Sequence, residues 1–99
     1  MKNEEVLFIT LTCIEDFMGI SAIKPGLTLK LKKDPNNRYD DEAIKVVSDS
    51  DATYGYVANS VTSVARGTHS AGYIYDKFDD NEYCEVMFVL DGRAIARLK

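Results

Sequence analysis

Cysteine and histidine are scarce in this chain, and neither is placed for chemistry. Cys13 and Cys84 are the only cysteines, isolated among apolar residues without CxxC spacing, so they supply no zinc site and are expected to be buried, reduced thiols. The single histidine, His69, follows Gly67-Thr68 with no acid or nucleophile at a recognised spacing, and a solvent-exposed imidazole is expected. No apolar run is long enough for a signal peptide or a membrane span. The acidic stretch Met1-Lys2-Asn3-Glu4-Glu5 leads directly into a strand pattern, and a cytoplasmic protein with no membrane partner is expected. There is no phosphate-cradling glycine loop, internal repeat, linker or low-complexity tract.

A surplus of positive charge is also missing. The net charge of −4 argues against a protein that coats nucleic acid by bulk electrostatics, because neutralising phosphates takes an excess of Lys and Arg. The charge is unevenly distributed. Lys24 to Lys45 holds six of the twelve basic residues against four acids and carries +2, which leaves −6 on the rest of the chain. Ninety-nine residues, 45% of them apolar, suffice for one domain with a single hydrophobic core and no disulfide or structural metal.

What is present is mostly strand pattern. Val6 to Cys13 alternates, with Leu7, Ile9, Leu11 and Cys13 on one face, and Leu27 to Lys32 alternates with Leu27, Leu29 and Leu31 inward and Lys30 and Lys32 outward. Between them, Glu15 to Gly26 reads as a loop with a short strand at Ile20 to Ile23. Ala43 to Val47 and Tyr54 to Val57 form a hairpin across a polar turn. Asn59 or Ser60 caps a two-turn helix with Val61, Val64 and Ala65 on its apolar face and Gly67 at its end. Tyr73 to Lys77 and Tyr83 to Leu90 read as a second hairpin about Asp79-Asp80-Asn81, with Cys84, Val86, Phe88 and Leu90 inward. Ala94 to Leu98, after the Asp91-Gly92 turn, fits a strand or a helical turn equally. The expected fold is mainly β: a small OB-like antiparallel barrel of about six strands with one or two short helices, in a single domain over residues 1–99.

The stretch with chemical character is Lys32 to Val46, which joins two strands through Asp34-Pro35-Asn36-Asn37 and ends on Tyr39 beside Asp40. Pro35 fixes its own φ near −65° and holds Asp34 extended, while the two asparagines tolerate left-handed angles, so the loop is expected to be ordered. Asp40 can accept the backbone N–H of Glu42 or Ala43 in an Asx turn, a structural role that does not exclude ligand binding. Without a motif around it, Tyr39 reads as a packing ring at the barrel mouth.

The motif is there. Lys33-Asp34-Pro35-Asn36-Asn37-Arg38-Tyr39-Asp40, then Ala43-Ile44-Lys45-Val46, then Gly55-Tyr56-Val57, resembles the HIRAN domain signature, and Gly19 fits the glycine of that family's first loop. The resemblance covers roughly Leu7 to Leu98. It implies an OB-like barrel, found at the N-terminus of helicase-like DNA repair ATPases and as small stand-alone bacterial proteins. The best understood members recognise the 3′ end of single-stranded DNA. The tyrosine matching Tyr39 stacks on the terminal base, and the aspartate matching Asp40 accepts a hydrogen bond from the 3′-hydroxyl. The match has gaps. An Arg-Tyr pair before the first-loop glycine corresponds here to Glu15-Asp16-Phe17-Met18, leaving Phe17 as a stacking face; the histidine after the glycine matching Gly55 is Tyr56; the phosphate-binding lysine that follows is Asn59; Tyr83 lies near a third aromatic position. Lys30, Lys32, Lys33 and Arg38 are the candidates to hold phosphates.

The resulting expectation is a nucleic-acid-binding module, not an enzyme, with no cofactor and no metal, whose partners are single-stranded DNA or DNA 3′ ends and a DNA-processing protein. One alternative is a barrel that uses the same mouth as a protein-interaction module, favoured by the net negative charge and by Glu15-Asp16. A metal-dependent nuclease, using Asp40-Asp41-Glu42 or Asp76, Asp79, Asp80 and Glu82, is the third reading. ATP hydrolysis and zinc, where the family has them, belong to fused domains.

Overall fold

The computed structural model describes residues 6–79 and 81–99. Six strands close into an antiparallel barrel: β1 (Phe8–Thr12), β2 (Thr28–Lys33), β3 (Ile44–Val47), β4 (Thr53–Val57), β5 (Asn81–Val89) and β6 (Ala94–Leu98), in the order β1-β4-β3-β2-β5-β6. The Ala94 to Leu98 ambiguity resolves as strand. β6 pairs with β5 and, through Phe8↔Arg97 to Leu11↔Ala94, with β1, and this second pairing closes the barrel. Among the described residues, one four-residue helix, α1 (Ala71–Ile74), and three 3-10 turns at Ile14–Asp16, Ile20–Ala22 and Tyr75–Lys77 complete the OB-like fold.

Alternation builds the interior. Ile9, Leu11, Leu29, Leu31, Ile44, Val46, Cys84, Val86, Ala94 and Ala96 are buried, with Ile14, Ala71 and Ile74 among the residues packed against them. Thr10, on the opposite parity, is fully buried too, because residues 58–69 fold back over the outside of β1. Its Oγ1 accepts from the Ala65 N–H at 3.0 Å and bonds the Thr68 hydroxyl at 2.8 Å, while its carbonyl accepts from the Ala58 N–H at 2.8 Å.

Those bonds explain why no helix forms at residues 61–66. Ser60 starts a single turn by accepting from the Ser63 and Val64 N–H groups, but the next donor, Ala65, is diverted to Thr10. Val61, placed on the apolar face by its spacing, is 97% exposed. Helix forms instead at Ala71–Ile74, where the Ser70 Oγ accepts from the Tyr73 N–H at 3.1 Å and Ala71 and Ile74 face the core. The expected strand at Tyr73 to Lys77 is therefore helix and 3-10 turn, and the second hairpin is β5–β6. The expected strand at Ile20 to Ile23 is a 3-10 turn entered through Gly19 at φ +85°, where the Glu15 carboxylate accepts the Ile20 N–H.

Two parities also shift. Pairing passes from Val86↔Ala96 to Phe88↔Ile95, a bulge that sets two β5 residues against one of β6 and turns Phe88 and Leu90 outward. Cys13 leaves the strand in a left-handed conformation (φ 61°), which exposes its thiol, whereas Cys84 is buried as expected.

Candidate nucleic-acid interface

The loop from Asp34 to Ala43 is closed at its base, where the Asp34 N–H donates to the Ala43 carbonyl at 2.8 Å, and is locked internally by its own short polar side chains. The Asn37 Oδ1 accepts the N–H groups of Tyr39 (2.9 Å) and Asp40 (3.1 Å), and its Nδ2 donates to Asp34 Oδ2 at 3.1 Å. The Asx turn expected at Asp40 is present: Oδ1 accepts the Glu42 N–H at 2.9 Å. Its other oxygen, Oδ2, accepts from the Asn59 Nδ2 at 2.8 Å, and the Asn59 Oδ1 in turn accepts the Gly72 N–H at 2.8 Å. A chain of three bonds thus ties the loop to the start of α1. Each carboxylate oxygen has one protein partner and a further acceptor position to offer.

The ring of Tyr39, next in sequence, is 88% exposed, with the Arg38 guanidinium 6.0 Å from its centroid. Across the mouth stands Tyr56, whose hydroxyl donates to Asp34 Oδ2 at 3.3 Å; burial, and then the neighbouring Asp34 charge, push its phenol above the usual range. Phe17 packs against Tyr56 with centroids 6.0 Å apart and rings inclined at 45°. Gly55 permits this arrangement, since a Cβ there would lie 2.5 Å from the Thr12 carbonyl oxygen. With no side chain in the way, the end of β1 crosses close over β4 and brings Thr12 and Cys13 into the wall. The resulting cavity, about 540 Å³, is bounded by Tyr39, Asp40, Tyr56, Asn59, Thr12 and Cys13.

Of the residues singled out in the sequence, the fold therefore gathers Tyr39, Asp40, Tyr56 and Asn59 around one cavity, with Phe17 and Arg38 adjoining. It does not gather the others. Lys30 and Lys32 both reach Asp51 at 3.7 Å, on the outer wall of the barrel. Lys33 shares the inward parity of Leu31 and turns over the barrel end, where its ammonium donates to the Phe78 carbonyl at 2.6 Å and lies 4.6 Å from the Tyr75 ring centroid and 4.9 Å from that of Phe78. Tyr83 is paired with Lys30, three strands around the barrel from Tyr56, or roughly 14 Å at ordinary strand spacing. Among the described residues, no group of three His, Cys, Asp or Glu side chains is placed to hold a metal ion.

The structure adds one cation to the set. Lys45 pairs with Lys32 on one side and with Tyr56 on the other, so these three side chains stand in one row on the outside of the barrel. Among the described residues Lys45 has no salt-bridge partner, which distinguishes it from Lys30 and Lys32. The signal lay in strand register, since Lys45 stands outside the loop and its neighbours across the sheet are far away in sequence.

An antiparallel barrel of OB-like topology, with a rigid polar loop presenting a ring and a carboxylate at its mouth, defines a class of small binding domain. The family is settled by the comparison with family models: the HIRAN domain model matches residues 6–85, and the chain belongs to that family. Two solved structures share the fold. The HIRAN domain of human HLTF superposes with a TM-score of 0.62 at 20% identity, over 94% of this chain and 74% of that one. A protein from Lactobacillus plantarum gives 0.56 at 22% identity, over 96% and 97%. No curated protein sequence matches the chain.

Proposed function

We propose that this domain binds the 3′ end of single-stranded DNA at the cavity between Tyr39 and Tyr56. Family membership supports a nucleic-acid-binding module, and the observation that carries the finer reading is the pairing of an exposed ring with a carboxylate held by two internal hydrogen bonds. Tyr39 offers a face on which any base stacks, at about 1–3 kcal/mol per base. Asp40 can accept the 3′-hydroxyl proton and repels a further phosphate, which makes the site specific for a strand end. Tyr56 and Phe17 provide auxiliary stacking surface, and Arg38 and Lys45 serve the phosphates. Asn59 positions Asp40 rather than meeting phosphate itself. In this reading Lys33 belongs to the fold, and Lys30 and Lys32 are engaged by Asp51 on the outer wall.

Two phosphate contacts give a shallow salt dependence, with log K falling against log salt at a slope of roughly −1.4 on a single strand. The test is fluorescence anisotropy of a short single strand at low salt. Tyr39→Ala should weaken binding by roughly 5- to 150-fold, the worth of one stacked base. Unchanged affinity in that variant would remove the reading. A second reading, a protein partner on the same surface, draws on Phe17 and Met18, 46% and 48% exposed beside Glu15 and Asp16. Binding of such a partner would be nearly indifferent to salt.

A further inference from the structure

A second groove opens directly beyond the first. It has a volume of about 510 Å³, and Asn59 and Ser60 form walls of both, so the two cavities are neighbours across a shared rim. Its other walls include Val64, Arg66, His69 and Tyr73, and among the described residues no carboxylate lines it, in a chain with sixteen acidic residues against twelve basic ones. The imidazole of His69 and the ring of Tyr73 are stacked, with centroids 4.2 Å apart and planes inclined by only 15°, so the imidazole expected to be solvent-exposed is half-buried. Lys77 lies over the Tyr73 ring, its ammonium 4.6 Å from the centroid.

These walls are fixed in place. The His69 N–H donates to the Phe8 carbonyl at 2.8 Å, Thr68 bonds Thr10, and the Arg93 guanidinium donates to the Ser63 carbonyl at 3.3 Å. A stacked aromatic pair, an arginine and small hydroxyl groups form the set that a single strand requires: ring surface for bases, a cation for the phosphodiester, and donors for sugar and phosphate oxygens.

We infer that this second groove receives the nucleotides immediately upstream of the 3′ terminus, so that the strand crosses Asn59 and Ser60 and continues along Arg66 and the His69–Tyr73 stack. The inference rests on the end-binding reading, because it takes the terminal nucleotide to sit against Tyr39. It makes the binding site longer than the mouth and assigns Arg66 to an upstream phosphate.

His69 is the chain's only histidine, so its ring proton signals in an NMR spectrum are assigned without ambiguity. Titrating the intact domain with a DNA hexanucleotide bearing a free 3′-hydroxyl should shift the His69 ring signals and the Tyr39 backbone amide together, with one dissociation constant. A nucleoside 5′-monophosphate with a free 3′-hydroxyl, at saturation, should move Tyr39 and leave His69 unmoved. Arg66→Gln should weaken the hexanucleotide roughly fivefold, as loss of one phosphate contact, while leaving the mononucleotide unaffected. If the hexanucleotide saturates Tyr39 with His69 unmoved, or if Arg66→Gln binds it as tightly as wild type, the second groove does not take the strand, although end binding stands. If neither residue responds to any strand, both readings fall.

Discussion

The bond between Asn59 and Asp40 is the joint on which the mouth depends, and its worth can be measured. Asn59→Ala removes a 2.8 Å hydrogen bond to a charged acceptor and leaves the Gly72 N–H without the partner it has at 2.8 Å. At part-buried positions these losses together come to about 2 kcal/mol. Asp40→Ala removes the same bond from the other side, together with the acceptor for the Glu42 N–H, for a similar cost of about 2 kcal/mol. Because the Asn59–Asp40 bond is counted in both, the double variant should lose about 3 kcal/mol rather than 4, a coupling of about 1 kcal/mol. In a domain of this size each single variant should melt roughly 10 °C below wild type. Urea denaturation of the four proteins supplies the cycle. Costs that add to within about 0.3 kcal/mol would mean that the two side chains do not act on each other, and the account of how Asp40 is held would be wrong.

Other outcomes follow from single contacts. Gly55→Ala should destabilise by about 3 kcal/mol, because its Cβ meets the Thr12 backbone at 2.5 Å and backbone cannot swing aside; a melting temperature within a few degrees of wild type, by calorimetry, would contradict this. Lys45→Ala should flatten the salt slope of DNA binding by roughly 0.7 with little change in stability, whereas Lys33→Met should lower stability and leave the slope alone; the reverse pattern would exchange their roles. Burial pushes the Cys84 thiol from its ordinary 9.0 up to about 12. The unfolded chain therefore releases this proton first, and the stability that Cys84 contributes below pH 9 is lost as pH rises from 9 towards 12, at up to about 1.4 kcal/mol per pH unit. Urea midpoints across that range should fall less steeply in Cys84→Ala than in wild type, and parallel curves would contradict the burial argument. A thiol reagent should modify Cys13 in the folded protein and Cys84 only after unfolding, and two thiols reacting at equal rates would refute that assignment.

What the sequence disclosed and what it withheld divide along the range of the interactions. The Asx turn at Asp40 was legible because its partner, Glu42, is two residues away and the geometry belongs to the aspartate itself. The barrel was legible because alternation at Leu29 and Leu31, or Ile9 and Leu11, fixes which side faces the core. The bond from Asn59 was not legible, since its partner Asp40 is nineteen residues away and no local pattern announces it. The bond from the Lys33 ammonium to the Phe78 carbonyl was not legible either, because parity cannot reveal where a strand end turns. Lys45 was overlooked because its place beside Tyr56 exists only once β3 and β4 are in register. The helix was set ten residues early because the spacing of Val61, Val64 and Ala65 is a local signal, and Thr10, from across the barrel, took the Ala65 N–H that would have continued it.

The central claim is that Asp40, presented beside Tyr39, reads a free strand end. Its most direct test compares two strands of identical sequence, one ending in a 3′-hydroxyl and one in a 3′-phosphate, by anisotropy at low salt against wild type and Asp40→Asn. The wild type should prefer the hydroxyl by about tenfold or more, equivalent to at least about 1.4 kcal/mol, and Asp40→Asn should erase most of that preference. Equal affinity of the wild type for both ends would contradict the claim.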